Sequence, residues 1–588
     1  MKERWFIKNI KADYKNIAKK YGISELISKL MINRNIINDD IIRNYINPNY
    51  ENLYDPYEMK DMKKAINILK EKIEYKKRIR IIGDYDVDGV ISVYILYIAL
   101  KRCGANVDYE IPDRIKDGYG INEKIILEAK NDGIDTLLTC DNGISAIEQI
   151  KYAKELGMTV IVTDHHDIPF VEEENQTRKF ISSEADAIIN PKQIECEYKF
   201  DKICGAGVAF KLIEVLYEEM AVSKESLYKL IEFVAIATVC DVVDLIDENR
   251  IFVKNGLKMI NSTKNLGLQA LIKETKIDGK EISTYHLGFV IGPCINASGR
   301  LDSAKKGLRL LLSEDEDEAL TLAKELVELN DERKSMTNEG VEKAIEIIEN
   351  SNMTNDKVFV IYIPEIHESL AGIIAGRVRE KYNVPTIILT RAENGVKGSG
   401  RSIEEYNMFE ELLKCKELLN KFGGHPMAAG LSLDEKNIDL FREQLNKNTT
   451  LTIEDLIPKI TIDSALSLEN INYDIINDLE ILEPFGKGNS KPLFGAKNIN
   501  AIKAMILGQN RNVLKIKLKT SNGRFMDAIY FGDAQEFEQY MIKKYSYGEL
   551  QKLYNGEFNC INLDLIFYPN INEYNGNISI QLVIQNYR

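Results

Sequence analysis

Carboxylate and imidazole side chains recur at three places in the first third of the chain, and each place follows a short apolar run. These residues are Asp84, Asp86 and Asp88 at the first place, Asp141 at the second, and Asp164, His165 and His166 at the third. Carboxylates combined with imidazole favour Mn²⁺ or Mg²⁺ over zinc held by thiolates. Two such ions can activate a water and hydrolyse a phosphate ester by in-line displacement. The pattern therefore predicts a site for two divalent metals.

Two other interpretations exist for the segment that begins at Asp84. A calcium-binding loop requires a glutamate at its twelfth position, and counting from Asp84 that position is Ile95. Such a loop also follows a helix, whereas a strand is predicted before Asp84. A solvated acidic turn is the simplest interpretation of the segment taken alone. Because Asp141 and His165 follow neighbouring predicted strands, we favour the metal site.

Short strands alternate with helices between residues 78 and 162, and this alternation predicts a doubly wound parallel sheet. The predicted strands are 78–82, 107–111, 136–139 and 159–162, and the predicted helices are 89–101, 122–130 and 145–156. In open parallel sheets, ligands bind beyond the carboxyl ends of the strands. Every carboxylate and histidine of the predicted site follows a strand, so the sheet would gather them at one edge.

The rest of the chain divides into three patterns. Residues 205–345 are mostly helical, and 314–350 reads as one or two long connecting helices. A second, smaller α/β unit is predicted from strands at 358–363 and 386–390 around a helix at 370–381. After residue 488 the helical pattern fades, and 490–588 reads as a small β-barrel or sandwich. Lys515, Lys517 and Lys519 alternate there with apolar residues, which fits either a basic groove for a single strand or an ordinary solvated face.

Length and composition limit the class of protein. At 588 residues the chain is expected to hold three or four domains. The 8 cysteines include no Cys-x-x-Cys pair, which argues for reduced thiols. No apolar stretch could span a bilayer, and the N-terminus lacks the apolar run of a signal peptide. We therefore expect a cytoplasmic protein with no membrane partner. The net charge of −14 argues only weakly against nucleic acid, because a basic channel can exist locally.

The motif Asp164-His165-His166 resembles that of the DHH phosphoesterase superfamily, whose fourth motif would supply Asp241. Further segments match a branch of that superfamily, the exonucleases specific for single-stranded DNA, along nearly the whole chain. They are Pro112-Asp113-Arg114 with Gly118-Tyr119-Gly120, Asn296-Ala297-Ser298-Gly299-Arg300, Gly398-Ser399-Gly400-Arg401-Ser402, and Gly423-Gly424-His425-Pro426. Asp164-His165-His166 and Gly423-Gly424-His425 are specific for the superfamily only. Asn296-Ala297-Ser298-Gly299-Arg300 and the C-terminal barrel indicate the branch.

The resemblance implies a role for each matching residue. The metal ligands would be Asp84, Asp86, Asp88, Asp141, His165 and Asp241, and the catalytic set would be Asp86, Asp88, Asp141, His165, His166 and Asp241. The residues expected to bind phosphate or DNA are Arg114, Asn296, Arg300, His367, Ser399, Arg401 and His425. A guanidinium suits this role because it binds phosphate through two parallel hydrogen bonds. For each arginine taken alone, a surface ion pair is the simpler interpretation.

Three positions depart from the pattern of the branch. Ile82 stands where many relatives have histidine, so one metal would have one nitrogen ligand fewer. Glu368 and Ser369 follow His367 where many relatives have proline and glycine, which puts the local loop shape in doubt. Asp244 replaces a common proline near Asp241. None of these changes removes a carboxylate ligand.

The resemblance also implies the fold class and the domains. The fold class is α/β, with a doubly wound parallel-sheet DHH domain, a second smaller α/β domain joined by a long helix, and a C-terminal OB-like β-barrel. The expected domains are an N-terminal helical extension (1–77), the DHH phosphoesterase domain with a helical insertion (78–313), a connecting helix (314–350), a DHH-associated substrate-binding domain (351–450), and a linker with an OB-fold that binds single strands (451–588).

The implied activity is metal-dependent hydrolysis of single-stranded DNA from its 5′ end to mononucleotides, in DNA recombination and repair. Mn²⁺ or Mg²⁺ would be the cofactor, a helicase and a single-strand-binding protein would be functional partners, and the chain would act as a monomer. Two alternatives stay open. One is a superfamily enzyme for oligoribonucleotides, cyclic dinucleotides or pyrophosphate, although such chains lack the barrel. The other is a non-catalytic scaffold, which would have lost metal carboxylates.

Overall fold

The computed structural model describes residues 3–118, 120–172, 178–392, 395–508, 511–574 and 576–588. Its contacts divide the chain into two compact units. The larger unit holds Tyr50–Val243 and Glu248–Pro458, and the smaller unit holds Glu3–Asn49, Asp244–Asp247 and Lys459–Arg588.

A five-stranded parallel sheet forms the first half of the larger unit. Its strands lie in the order Asn106–Glu110, Arg78–Ile82, Thr136–Cys140, Thr159–Thr163 and Ala187–Ile189. The parallel sheet is confirmed, and the structure adds the fifth strand. Chain order along the sheet is 2-1-3-4-5, so the winding reverses between the first and third strands. At such a reversal the loops that leave two adjacent strands diverge and open a crevice.

Helices cover this sheet on both faces. Ile125, Ile126 and Ala129 of the helix Glu123–Asn131 pack with residues of the helix Ile147–Glu155 and of the strands into one buried cluster. The helix Val87–Arg102 packs on Gly205–Glu219 instead. Burial of both faces explains why Thr136–Cys140, Thr159–Thr163 and Ala187–Ile189 are nearly continuous runs of buried residues, whereas polar residues interrupt Arg78–Ile82 and the edge strand Asn106–Glu110.

The region after the sheet is helical, as predicted. Its helices are Lys224–Tyr228, Ile231–Cys240, Asp247–Ile260, Leu266–Glu274, Thr284–His286, Gly292–Leu301 and Lys305–Leu312, with a π-helical turn at Leu287–Ile291. Before it, Phe170–Glu172 and Arg178–Phe180 form a small antiparallel ribbon. The helix Met62–Glu74 precedes the first strand of the sheet.

A single helix, Glu316–Glu349, connects the two halves of the larger unit. Its 34 residues correspond to a length of about 51 Å at 1.5 Å per residue. The helix begins at a cap in which Asp315 accepts a hydrogen bond from the amide of Glu318 at 2.8 Å. It packs on Gly292–Leu301 towards one end and on Ala371–Tyr382 towards the other. The prediction of one or two connecting helices is thus resolved as one.

A second five-stranded sheet forms the other half of the larger unit. Its order is Lys421–His425, Ala428–Leu433, Gly395–Arg401, Thr386–Ala392 and Phe359–Tyr362, with only the last two strands parallel. The helices of this half are Ala371–Tyr382, Met408–Leu413 and Ile438–Asn448. Buried Phe441 and Leu445 join its core with the strands. The predicted smaller α/β unit is therefore present.

The smaller unit contains a closed ring of five strands. Around the ring they are Phe494–Leu507, Val513–Lys519, Phe525–Phe531, Asn577–Tyr587 and Asn562–Tyr574, and the last pairs with the first. Ser464–Ala465 adds a short parallel strand at Phe494. The OB-like barrel is confirmed.

Two helices interrupt the predicted all-β segment. They are Ala534–Lys544 and Tyr547–Asn555, between the third strand and Asn562–Tyr574. The expectation that the helical pattern fades after residue 488 was wrong here. Phe537 and Met541 lie four residues apart on the first helix, Leu550 and Leu553 lie three apart on the second, and all four belong to the barrel core.

The N-terminal segment contributes both helices and a strand. The helices Tyr14–Tyr21, Glu25–Ile32 and Asp39–Ile46 belong to the smaller unit. Arg4–Ile7 forms a parallel pair with Lys459–Ile462, a partner more than 450 residues away that sequence periodicity does not reveal. In the part of the chain that the structure describes, no helix is long and apolar enough to cross a membrane.

Candidate metal centre and phosphate pocket

The loop after the strand Arg78–Ile82 places three carboxylates at the reversal point of the parallel sheet. Asp86 caps the following helix by accepting a hydrogen bond from the amide of Gly89 at 3.0 Å. Asp88 lies in the first helical turn, and Asp84 is buried in the loop. The turn is so tight that a Cβ atom at position 89 would lie 2.4 Å from the carbonyl oxygen of Asp84. Only glycine fits there.

A second helix start holds Asp88 in place. The amides of Gly205 and Ala206, at the N-terminus of Gly205–Glu219, donate to the two Asp88 carboxylate oxygens at 2.6 and 2.8 Å. Asp141, which follows the third strand, adopts a positive φ of 58°. A Cβ atom at position 205 would lie 2.7 Å from the Cβ of Asp141, so glycine also allows these two segments to meet.

His165 occupies the middle of the carboxylates. Its Nε2 atom lies 3.1 Å from Asp141 Oδ1, 3.6 Å from Asp88 Oδ2 and 3.7 Å from Asp241 Oδ2. Three groups have ligand atoms within 4.8 Å of one another: Asp141 with His165 and His166, Asp88 with His165 and Asp241, and Asp84 with Asp86 and Asp141. The structure therefore brings together the six predicted metal ligands and His166 of the predicted catalytic set.

The electrostatics of the cluster fit divalent cations. Burial, together with the neighbouring Asp86 carboxylate, raises the pKa of Asp88 to about 7. Burial and the adjacent carboxylates also raise the pKa of Asp84 and of Asp141. Within the described residues, Asp84 Oδ1 is buried without a hydrogen-bond partner. Several carboxylates this close repel one another unless cations compensate them. Hard oxygen ligands with one imidazole suit Mn²⁺ or Mg²⁺.

Asp164 does not face this cluster but holds the histidines. Its carboxylate accepts hydrogen bonds from the amides of Ile144, His165 and His166 at 2.9, 2.7 and 3.1 Å. Its Oδ1 atom also lies 2.7 Å from His166 Nδ1. Burial opposes a charge on His166, yet this bond and the surrounding carboxylates raise its pKa to about 9. Burial and the nearby His166 lower the pKa of His165 to about 3, which leaves that ring neutral.

Three predicted phosphate-binding arginines converge near the carboxylates. Arg300 donates from Nη1 to the carbonyl of Ser369 at 2.7 Å, and Arg114 stacks 4.8 Å from the ring centroid of Tyr85. Arg401 donates from Nη1 to Ser399 Oγ at 3.1 Å. Burial and the Arg114 guanidinium lower the pKa of Arg300 to about 10 and also lower that of Arg401. Arg114 therefore lies close enough to both to repel them.

Asn296 and His367 support backbone near these arginines. Asn296 Oδ1 accepts a hydrogen bond from the amide of Val87 at 3.2 Å, directly after Asp86. His367 Nδ1 lies 2.7 Å from Ser369 Oγ, so the loop that departs from the family pattern ties its histidine to the new serine.

His425 lies farther out on an exposed hairpin. Its Nδ1 atom is 3.8 Å from Asp167 Oδ2, just after the histidine pair. Tyr119 of the predicted Gly-Tyr-Gly loop lies outside the described residues. His286 Nδ1 accepts a hydrogen bond from the Ser283 amide at 3.1 Å, at a helix start.

Sequence reasoning missed several contributors to the site. Tyr85 lies under Arg114, Asp167 faces His425, and Gly205 sets the contact between two ligand-bearing segments. Adjacency to Asp84 and His166 was an available signal for the first two. No local pattern marks Gly205, since its partner lies 64 positions earlier.

The predicted lysine face of the barrel is partly neutralised. Lys515 forms an ion pair with Asp527 at 2.8 Å, and Lys517 lies 5.5 Å from the ring centroid of Phe525. Leu514, Ile516 and Leu518 are buried between them, as the alternation predicts.

Three family models match the chain: the DHH family N-terminal domain at 78–238, the DHHA1 domain at 355–450, and the RecJ OB domain at 462–586. The single-stranded-DNA-specific exonuclease RecJ of Bacillus subtilis is 36% identical over 546 residues, covering 91% of this chain and 67% of the relative. RecJ of Escherichia coli is 32% identical, with 90% of each chain covered. The chain belongs to the RecJ family.

Solved structures of RecJ proteins share the fold. RecJ from Thermus thermophilus in complex with Mn²⁺ has a TM-score of 0.82 at 25% identity, covering all of this chain and 79% of that one. An exonuclease RecJ bound to manganese has a TM-score of 0.58 at 31% identity, covering 68% of this chain and 96% of that one. Asp241, Asn296 and Arg300 lie between the matched DHH and DHHA1 ranges, so the spatial cluster and not the domain match brings them into the site.

Proposed function

We propose that this member of the RecJ family is a metal-dependent exonuclease that degrades single-stranded DNA from its 5′ end to mononucleotides. The observation that carries the proposal is the cluster of buried carboxylates around His165, placed next to converging arginines. Curated relatives described as single-stranded-DNA-specific exonucleases support it, as do RecJ structures with Mn²⁺ and with Mg²⁺. Recombination and repair are the processes that such an activity would serve.

The metal ligands in this proposal are those expected from the sequence: Asp84, Asp86, Asp88, Asp141, His165 and Asp241. When bound, two divalent ions activate a water and neutralise charge that develops on the phosphate. Asp141 belongs to two of the three ligand groups, so its carboxylate would contribute to both metal positions. His166, which is hydrogen-bonded to Asp164, would lie beside the reacting phosphate and complete the catalytic set.

The arginines determine the direction of degradation in this proposal. Arg114, Arg300 and Arg401, with the Ser399 hydroxyl, bind the 5′-terminal phosphate through charge-assisted hydrogen bonds. Asn296 and His367 position the segments that carry them, and His425 contacts the strand from the exposed hairpin. A strand held by its terminal phosphate presents its first phosphodiester to the metals, so hydrolysis proceeds from the 5′ end.

The domains and surroundings of the enzyme are part of the proposal. Residues 78–313 carry the metal chemistry and share the binding of the terminal phosphate with 351–450. Residues 451–588 guide the strand through the OB-fold, with 1–77 as an extension and 314–350 as the connection. We assign the chain to the cytoplasm as a monomer that acts with a helicase and a single-strand-binding protein.

The test uses purified protein with Mn²⁺ or Mg²⁺ and a 5′-phosphorylated single strand labelled at its 3′ end. A matched blunt duplex and a single-stranded RNA serve as comparison substrates. We expect progressive shortening of the DNA strand from its 5′ end, an intact duplex, and complete inhibition by a chelator. Hydrolysis of dinucleotides or cyclic dinucleotides without degradation of long DNA would instead place the chain among the small-substrate enzymes of the superfamily.

A further inference from the structure

Two arginines outside the predicted site extend the group formed by Arg114, Arg300 and Arg401. Arg333 lies on the connecting helix and Arg377 lies on Ala371–Tyr382. Among the described residues, none of the five forms an ion pair with a carboxylate. The chain carries 91 acidic against 77 basic residues, so carboxylate partners are abundant elsewhere. Because these neighbouring arginines have no carboxylate partner in the described part of the chain, we infer that they bind an anion from outside the chain.

Arg333 is held against the helix that carries Arg300. Its Nε atom donates to Asn330 Oδ1 at 3.1 Å. Asn330 is buried at 3% exposure, and its amide nitrogen lies 3.5 Å from Cys294 Sγ on Gly292–Leu301. The guanidinium of Arg333 is therefore fixed by a buried side chain next to the phosphate-binding helix. One N–H group is used, and the terminal nitrogens remain for a ligand.

Arg377 is held in the same way from the other side. Its Nη1 atom donates to Asn338 Oδ1 on the connecting helix at 3.2 Å. The helix of Arg377 also meets the predicted phosphate pocket, because a Cβ atom at Gly372 would lie 2.8 Å from Arg401 Nη2 and 2.9 Å from Ser399 Oγ. Amide oxygens, which carry no net charge, orient both guanidinium groups without neutralising them.

Each arginine along this surface lies close enough to the next to repel it, from Arg377 to Arg333 and from Arg333 to Arg300. Burial and the Arg377 guanidinium lower the pKa of Arg333. Burial, then Arg114 and Arg333, lower the pKa of Arg300. The positive charge therefore continues from the predicted terminal-phosphate pocket through Arg300 and Arg333 to Arg377. A ligand with several phosphates in a row relieves this repulsion at more than one point, which a single phosphate does not.

We propose that Arg333 and Arg377 form a second phosphate subsite along the connecting helix, which binds the phosphodiester backbone of the single strand outside the terminal pocket. The inference rests on the proposed function and extends it to the strand beyond the reacting nucleotide. The subsite binds and positions the strand, and it takes no part in the chemical step.

The test compares the unmodified protein with the double variant Arg333→Gln/Arg377→Gln on 5′-phosphorylated strands of 2 nucleotides and of about 20 nucleotides. We expect kcat/KM for the dinucleotide to stay within about twofold, while KM for the long strand rises on the order of tenfold. The slope of log affinity against log salt should fall by about 1.4, since each lost phosphate contact to a single strand contributes about 0.7. A purely structural role would not change the salt slope.

The matched control is Lys324→Gln on the same helix, since Lys324 already lies 4.0 Å from the Glu328 carboxylate. It should change none of these quantities. Equal losses on the short and long strands, or an unchanged salt slope, would overturn the subsite. If the double variant folds poorly, Arg377→Gln alone, at an exposed position, should still lower the slope by about 0.7. If the unmodified protein degrades neither strand, the proposed function fails first and the subsite with it.

Discussion

His165 shows how individual residues set the chemistry of the site. Its Nε2 atom lies within 3.1 to 3.7 Å of three carboxylates, and its low pKa keeps a lone pair available for a metal. The carboxylates around His165 are buried beside one another, so their like charges repel and their pKa values are raised. In the metal-free protein these residues therefore destabilise the fold, and cation binding reverses that effect.

Replacing Asp141 with Asn should separate folding from catalysis. We expect hydrolysis of single-stranded DNA to fall on the order of a thousandfold or more. The melting temperature of the metal-free variant should not fall, since one repelling charge is removed. Mn²⁺ should raise the melting temperature of the unmodified protein and leave that of the variant nearly unchanged, as followed by circular dichroism.

The control for this experiment is Asp132→Asn, at the opposite edge of the same sheet, where Asp132 pairs with Arg80 at 3.0 Å. It should retain both activity and the Mn²⁺ response. Full activity in Asp141→Asn would remove Asp141 from the metal centre.

Asp164 should control the proton on His166. In the metal-free protein we expect the His166 ring to titrate near pH 9, and Asp164→Asn should lower that pKa because the bonded carboxylate charge is lost. The folded pKa of His166 lies above its ordinary value of 6.5, so its contribution to stability is complete below that pH and disappears as pH rises through 9. NMR titration of the histidine ring signals measures both values. An unchanged His166 titration in Asp164→Asn would contradict this role.

At the scale of elements, the parallel sheet and the long helix were predictable because their signals are local. Continuous apolar runs mark strands buried on both faces, and a stretch without proline marks Glu316–Glu349. The strand Arg4–Ile7 was not predictable, because it exists only through pairing with Lys459–Ile462. The helices Ala534–Lys544 and Tyr547–Asn555 were missed because they lie among strands whose alternation dominates the pattern.

The residues of the candidate site also differ in whether a local sequence signal marks them. The residues of the first three metal motifs follow strands, so sheet topology alone places them together. Asp241 lies at the end of a helix and came only from the resemblance. The uncharged supports, Gly205 and Asn330, act through contacts distant in sequence and leave no local pattern.

The helix start at Gly205 should be intolerant of a side chain. In Gly205→Ala, the added methyl would lie 2.7 Å from the Cβ of Asp141, so the ligand-bearing loop must move. We expect a stability loss of about 1–3 kcal/mol and a larger proportional loss of Mn²⁺ affinity. Calorimetric Mn²⁺ titration and chemical denaturation measure the two effects.

Gly548→Ala is the matched control, because Gly548 also lies in the first turn of a helix but has only Ser546 Oγ near its missing Cβ, at 3.8 Å. It should be neutral or slightly stabilising. Mn²⁺ affinity that survives in Gly205→Ala would show that this contact does not position the carboxylates.

At the scale of the whole molecule, metal binding should act on one unit. All residues of the three ligand groups belong to the larger unit. Mn²⁺ should therefore slow amide hydrogen exchange at 82–91, 140–144, 163–167 and 203–208, where like charges are neutralised. The barrel strands within 494–587 should exchange at the same rate with and without Mn²⁺, as measured by mass spectrometry. Metal-dependent protection of the barrel would contradict a metal centre confined to the larger unit, and Asp141→Asn serves as the control without a complete site.

The connecting helix has a consequence for the product of the reaction. Glu316–Glu349 runs unbroken between the two halves of the larger unit, so it contributes to the distance between the carboxylate cluster and the Ser399–Arg401 pocket, together with the direct contact of Arg300 with Ser369. Each residue added to an α-helix lengthens it by about 1.5 Å and rotates its end by about 100°, so the length and the rotation of the helix cannot be changed independently. On the proposed function, the size of each released fragment therefore depends on the length and rotation of this helix, including residues that lie far from the reacting phosphate.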